Sequence, residues 1–174
     1  TWIDNTQHQW QIRQQWYTTL KNLTIVTPSQ WLASFVRESM FKKHKVKVIY
    51  NGVDTNTFAQ KTNCDIYSKY NIDKKKKIVL GCTINWEPRK GMIYFEQMAE
   101  LLSNDYQIVL VGNINEEKKE RLIQKNIICI GRTSTLDEMV AWYQSAAVFC
   151  NPTLADNFPT TNIESLAAGT PVVT

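Results

Sequence analysis

From Lys77 onward the chain repeats one pattern: short apolar runs at 78–82, 107–112, 127–131, 148–150 and 171–173, separated by stretches of helical character. A spacing of about 20 to 30 residues between such runs is that of βαβ crossovers. The intervening stripes have the period of helices packed on a sheet: Met92, Phe95, Met98, Ala99 and Leu102 in one, Met139, Val140, Tyr143 and Ala146 in the next. Continuous rather than alternating apolar strands are those buried on both faces. The second half is therefore expected to be a parallel, doubly wound α/β sheet, with chemistry in the loops at the carboxyl ends of its strands.

The first half is less regular. A weakly amphipathic helix is expected over 6–21, with Trp10, Trp16, Tyr17 and Leu20 as its stripe. A strand at 23–26 leads into Thr27-Pro28-Ser29, a turn and cap for a helix carrying Trp31, Leu32, Phe35 and Val36 on one side. A second strand at 46–50 ends at Asn51-Gly52, where a left-handed backbone is cheap. Between Asp54 and Lys77 no long apolar period exists, so this stretch reads as a connector. Its closing run, Lys74 to Lys77, reads as a solvated charged turn.

At 174 residues the chain has room for one domain and part of another. With 43% apolar and 21% charged residues it is neither disordered nor fibrous. Its net charge of +4 is spread along the sequence, which favours an anionic ligand without arguing for nucleic acid. The cysteines, Cys64, Cys82, Cys129 and Cys150, form no C-x-x-C pair, and they read as small buried thiols of a reducing compartment. No apolar run approaches membrane-spanning length. The opening Thr1-Trp2-Ile3-Asp4-Asn5 lacks the features of a signal peptide, which makes a cytosolic protein the default. His8 and His44 have no partner by sequence signature and read as surface histidines. G-x-G-x-x-G, the P-loop pattern and D-x-D are all absent, against dinucleotide oxidoreduction, P-loop chemistry and a metal-held diphosphate.

Two loops carry the candidate chemistry. After the run at 78–82, Arg89 and Lys90 stand where a helix begins, a planar fork and a point charge beside free backbone N–H groups that favour anions. Exposed turn charges are the plainer alternative. After the run at 148–150, Asp156 and Glu164 lie eight residues apart and can accept hydrogen bonds from sugar and ribose hydroxyls. Glu164 also fits a capping box with Thr161, and Asp156-Asn157 fits an ordinary turn.

Thr27-Pro28-Ser29-x-Trp31-Leu32, Asn51-Gly52-Val53-Asp54-x-x-x-Phe58, Arg89-Lys90-Gly91 and Asp156-Asn157-Phe158-Pro159-Thr160-Thr161-x-x-Glu164, with Gly169-x-Pro171-Val172-Val173 behind them, resemble the family-4 retaining glycosyltransferases of GT-B fold, in the bacterial polysaccharide or colanic-acid-type group. The resemblance implies an incomplete GT-B enzyme: 1–58 as the end of an N-terminal acceptor domain, 59–76 as a connector, and 77–174 as a truncated C-terminal donor domain. It implies transfer of a sugar from a nucleotide-diphosphate donor, with retention, to a saccharide or lipid-linked acceptor, without cofactor or metal. Arg89 and Lys90 would neutralise the departing diphosphate, Asp156 would lie by the sugar, and Glu164 would hold the ribose. Gly131, Arg132 and Thr133 would meet the base, and Asn157, Phe158, Thr160 and Thr161 would complete the donor site. Asp where the family has Glu shortens the reach at 156, and Pro159 where it often has Gly removes an N–H, leaving the contact to Thr160 and Thr161. The family's glycine-rich loop and histidine near the acceptor have no counterpart in this chain, and its sheet edge and unpartnered helix faces are expected to make it sticky. The resemblance further implies a cytoplasmic location and allows peripheral contact with the inner membrane face through the part of the first domain not included here. A nucleotide-sugar-binding module or half of a split enzyme is a second reading, and a GT-B relative that isomerises or hydrolyses nucleotide sugars is a third.

Overall fold

The structure, a computed structural model, describes residues 4–174 and separates into two compact units, one ending at Asn51 and the other spanning Gly52–Thr174. The opening five residues, read above for signal-peptide features, lie partly outside the described residues.

In the first unit, helix α1 (Thr6–Thr18) precedes strand β1 (Thr24–Thr27), helix α2 (Gln30–Glu38) and strand β2 (Lys45–Val48). The two strands pair in parallel, Thr24 opposite Lys45 and Thr27 opposite Val48. Ser29 caps α2 as expected, its Oγ accepting from Leu32 N at 3.1 Å. Burial on α2 differs from its apolar stripe: Ala33 is fully buried, whereas Trp31 and Phe35 are exposed and stack edge to face on each other. Helix α1 buries none of its residues, and Trp10, Trp16 and Tyr17 all stay exposed. Its apolar positions are too scattered around the helix to make one packing face.

The second unit opens with two short helices, α3 (Thr55–Ala59) and α4 (Ile66–Lys69), capped by Asp54 and Asp65. Five parallel strands follow: β3 (Lys77–Asn85), β4 (Tyr106–Asn113), β5 (Ile128–Ile130), β6 (Ala146–Cys150) and β7 (Val172–Val173). The helices between them are α5 (Met92–Leu101), α6 (Glu116–Gln124), α7 (Leu136–Ser145) and α8 (Thr160–Ala167). Every expected strand of this half is present, displaced at its ends by a few residues. The sheet order is β5-β4-β3-β6-β7, the doubly wound arrangement.

Both faces of the sheet are covered. Along β3 and β4, Ile78, Leu80, Val109 and Val111 join α7 in one core, and Val79, Ile108 and Leu110 join α5 and α6 in the other. This period of two follows from the pleat. The stretch expected to be a connector belongs to the first of these cores: Phe58, Ile66 and Ile72 are buried there, and the division between units falls after Asn51 rather than after Phe58. Its helices are too short to display an apolar period, so only their buried anchors betray them. The tie is also polar. Glu138 of α7 is almost fully buried and accepts from Lys69 Nζ at 2.7 Å, from the Tyr70 hydroxyl, and from Ser134 N and Oγ at 2.9 and 2.8 Å. The lysine run forms a turn in which Lys74 pairs with Asp65 at 2.8 Å.

Positive φ, where a Cβ is strained, occurs among the described residues at Asn71, Gly91, Gly112, Asn126 and Gly169, not at Asn51 or Gly52. All four cysteines are free, but only Cys150 is buried; Cys64, Cys82 and Cys129 are half-buried, a correction to the expectation that all four are interior. Among the described residues no helix is long and apolar enough to cross a membrane.

Candidate functional site

The sheet's winding reverses at β3, which has β4 on one side and β6 on the other. Chain leaving the carboxyl ends of β3 and β6 therefore diverges around a crevice. The loops after these strands are the two that carry the candidate charges, so residues 66 apart in sequence meet.

Arg89 and Lys90 occupy a 3-10 turn (Pro88–Lys90) ahead of α5, not the first turn of α5 itself. Gly91 separates the two in a left-handed conformation, φ 73°. A Cβ on Gly91 would lie 2.1 Å from the Pro152 carbonyl oxygen, so close approach of the loop after β6 requires glycine there. Further bonds stitch these loops: the Arg89 carbonyl accepts from Leu154 N at 2.8 Å and from Thr153 Oγ1 at 3.2 Å, and Arg89 Nη1 donates to the Ala155 carbonyl at 3.2 Å.

This seam delivers Lys90 Nζ to Asp156 Oδ2 at 2.6 Å, both side chains being about four-fifths shielded from solvent. Burial alone raises the Asp156 carboxyl; the hydrogen bond and charge of Lys90 outweigh it and hold the group below its usual range. Arg89 pairs with Glu87, which lines the same cavity, through Nε at 2.9 Å. Arg89, Lys90, Asp156, Phe158, Thr160 and Thr161 all line one cavity of about 330 Å³.

A second cavity, of about 300 Å³, is lined by Arg132, Thr133 and Glu164 and shares Cys82, Thr83, Ile84, Thr160 and Thr161 with the first. Through these shared residues the two adjoin as one trough at the strand ends. Gly131 lines a smaller neighbouring cavity with Gly112 and Asn113, and Asn157 is exposed and lines none of the three. His44 lies on a separate cavity in the first unit, beside Trp10, Lys42 and Lys43.

Helix α8 starts at the join of the two cavities. Its cap residue is Pro159 and no side chain caps it. The capping box is therefore not formed: Glu164 Oε2 accepts from the Tyr143 hydroxyl at 2.8 Å instead. The leading N–H groups of a helix lack partners within it and favour negative charge. With Lys90 and Arg89 opposite, the trough suits an extended anion whose remaining groups offer hydroxyls to carboxylates. On the β6 side the loop is anchored by Asn151, whose Nδ2 donates to Asn162 Oδ1 at 2.8 Å.

Three contributors are not apparent in the sequence. Glu87 lines the first cavity and holds Arg89; its place two residues before an arginine is the available signal. Asn151 and Tyr143 have no local signature, because their hydrogen bonds cross from loop to helix and from helix to helix.

Residues 75–174 match the family model described as "Glycosyl transferases group 1". An O-antigen biosynthesis glycosyltransferase, WclY of Escherichia coli, is 28% identical over 138 residues, covering 75% of this chain and 37% of its own length. The chain thus spans little more than a third of that curated relative. Among solved structures, a glycosyltransferase from Rickettsia africae superposes with a TM-score of 0.74 at 20% identity, over 91% of this chain and 46% of its own. HepE of Anabaena, in complex with UDP and glucose, superposes with a TM-score of 0.72 at 17% identity, over 97% and 48% respectively. At such identities the likeness is one of fold, the α/β GT-B type.

Proposed function

The chain belongs to the group 1 glycosyltransferases, and from that premise we propose that its second unit holds a nucleotide-diphosphate sugar whose sugar is transferred to a saccharide or lipid-linked acceptor. The observation that carries this is the Lys90–Asp156 pair, set in a cavity that also receives the uncapped start of α8. It combines a cation for phosphate with a carboxylate for sugar hydroxyls, at the one place where the sheet topology opens a crevice.

In this proposal the bond from the anomeric carbon to the diphosphate oxygen breaks, and negative charge grows on the leaving diphosphate. Lys90 and Arg89 meet that charge from one side, and the N–H groups of Thr160 and Thr161 from the other. Fixed charges of this kind act before and during bond cleavage without reorganising. Pro159 contributes no N–H, which throws that contact onto the two threonines. Asp156 takes sugar hydroxyls, Glu164 takes the ribose in the adjoining cavity, and Gly131, Arg132 and Thr133 meet the base. Phe158 and Asn157 complete the sugar end. Because two side-chain cations already face the diphosphate, no metal or cofactor is part of the proposal.

Family-4 membership and retention rest on the motif resemblance. A role in polysaccharide synthesis is supported by the likeness to an O-antigen biosynthesis enzyme, whereas a place on the cytoplasmic side, at the inner membrane face where the acceptor is lipid-linked, rests on the motif resemblance. The UDP-bound neighbour makes uridine nucleotides the first to test.

Calorimetric titration of the chain with nucleoside diphosphates and nucleotide sugars tests the assignment. Lys90→Ala and Glu164→Ala should each weaken binding by roughly 1–3 kcal/mol, the value of a charged hydrogen bond. Unchanged affinity in both removes the site.

A further inference from the structure

Resting on the placement of Glu164 at the ribose, we propose that Tyr143 is a positioning residue: its hydroxyl pins Glu164 Oε2 and so reserves Oε1 as the acceptor for the vicinal hydroxyls of the bound nucleotide. Tyr143 lies on α7 and is fully buried, yet its hydroxyl donates to Glu164 Oε2 at 2.8 Å across the join between α7 and α8. Both residues line the second cavity.

Three features hold this donor still. The Tyr143 ring packs edge-on against Phe58 and Phe149, at 6.0 and 5.6 Å between centroids. Its carbonyl accepts from the buried Thr170 Oγ1 at 2.6 Å, and Ser165, the neighbour of Glu164, donates from Oγ to the Thr170 carbonyl at 3.3 Å. The same short chain of bonds therefore ties the backbone of α7 to that of α8 beside the hydroxyl–carboxylate pair. Burial first, then the nearby Cys82 and Glu164, raises the phenol above its usual range, which keeps it a donor.

Among the described residues no side chain or backbone group bonds Glu164 Oε1, and no cation pairs with Glu164. A carboxylate with one oxygen engaged by a fixed donor presents the other in a single orientation, as a pure acceptor. A vicinal diol supplies donors to such an oxygen; a dideoxyribose does not. A buried polar group that loses its partner is penalised, so the site should discriminate between the two sugars through this pair. Phe58 contributes indirectly by fixing the ring, which gives the segment before β3 a part in ligand recognition.

The test uses the 174-residue chain and calorimetric titration with uridine, adenosine and guanosine diphosphates, each beside its 2′,3′-dideoxy counterpart. Tyr143→Phe keeps the ring packing and removes only the donor. It should weaken the tightest-binding ribose diphosphate about fivefold to tenfold, one hydrogen bond's worth, and leave the dideoxy compound unchanged. Equal weakening of both compounds would mean a structural role only, and no weakening of either, with Glu164→Ala still abolishing the ribose preference, would overturn the inference while sparing the Glu164 assignment. Glu164→Ala with its ribose preference intact, or no binding of any diphosphate, would remove the underlying assignment and the inference with it. Should Tyr143→Phe not fold, Phe58→Leu decides: it loosens the Tyr143 ring and keeps its hydroxyl, so it should weaken the ribose diphosphate more than the dideoxy compound, and equal weakening of the two, or none of either, overturns the inference.

Discussion

Lys90→Ala is more informative than the removal of an ordinary surface charge, because its partner stays behind. Lys90 and Asp156 are 2.6 Å apart and mostly shielded from solvent. Truncating the lysine removes one charge-assisted bond to the proposed diphosphate, about 1.5–3 kcal/mol. It also leaves the Asp156 carboxylate unopposed beside that anion, and a like charge there adds about 1 kcal/mol at a conservative effective dielectric. Together these give a loss of about 3 kcal/mol, or roughly 150-fold in Kd for a nucleoside diphosphate. The second contribution is separable. In Lys90→Ala/Asp156→Asn the repulsion vanishes, so the double variant should bind about fivefold more tightly than Lys90→Ala, although it lacks two polar partners instead of one. Lowering the pH should have the same effect in the single variant. Without Lys90, only the backbone bonds from Phe158 and Asn157 oppose burial, so the Asp156 carboxyl moves upward from its paired position, and protonation arrives at a higher pH and lifts the repulsion as pH falls. A calorimetric double-mutant cycle at two pH values reads both effects. Losses that simply add, within about 0.5 kcal/mol, and show no pH dependence would refute the view that the two groups face one anion.

Gly91→Ala should weaken nucleotide binding and lower stability by about 1–3 kcal/mol in denaturant titration, since its Cβ meets the Pro152 carbonyl and its φ is left-handed; an unchanged midpoint would show that the loops do not need this approach. At Glu138, burial raises the carboxyl, but the bonds from Lys69, Tyr70 and Ser134 outweigh it and bring it down to about 2. A depressed carboxylate contributes stability above its ordinary value that is lost as pH falls through about 2. Discounted for screening at the half-exposed Lys69, the contribution is about 2 kcal/mol, so Glu138→Gln should destabilise the chain at pH 7 and flatten its acid-unfolding curve between pH 5 and about 2. Identical acid curves for the two proteins would contradict this. Cys82, raised to about 12 by burial and then by Glu164, should react with iodoacetamide at pH 8 far more slowly than a free peptide thiol, although it lines both cavities; mass spectrometry of timed digests gives the rate, and a fast reaction would exclude a protonated thiol.

The central sheet was legible because its strands are buried on both faces and so announce themselves as unbroken apolar runs. Where pairing outlasts the apolar run, sequence falls short: β3 continues to Asn85, held opposite Asn113, and the Asn113 side chain donates to Asn85 Oδ1 at 3.0 Å. The segment between Asp54 and Lys77 was opaque for another reason. Helices of five and four residues show no period, and their contribution is made by single buried side chains such as Ile66 and by the bond from Lys69 to Glu138. In α1 the aromatic residues Trp10, Trp16 and Tyr17, interspersed in a polar segment, suggested a packing stripe, yet no residue of the helix is buried. At the site, spacing and topology bring Lys90 and Asp156 to the same crevice, but the choice of partner for Glu164 could not be foreseen. Thr161-x-x-Glu164 has the spacing of a capping box, and only the folded packing of α7 on α8 shows a buried phenol competing for that carboxylate.

Backbone amide NMR of the chain during titration with UDP and UDP-glucose tests most directly whether the trough at the ends of β3 and β6 is the donor site. The account predicts the largest shift changes at Lys90, Thr160 and Thr161, with Arg132 and Thr133 following the nucleoside and Asp156 responding further when the sugar is present. Saturable changes confined to the first unit, for example around Lys42, Lys43 and His44, with the amides of Thr160 and Thr161 unmoved, would contradict it.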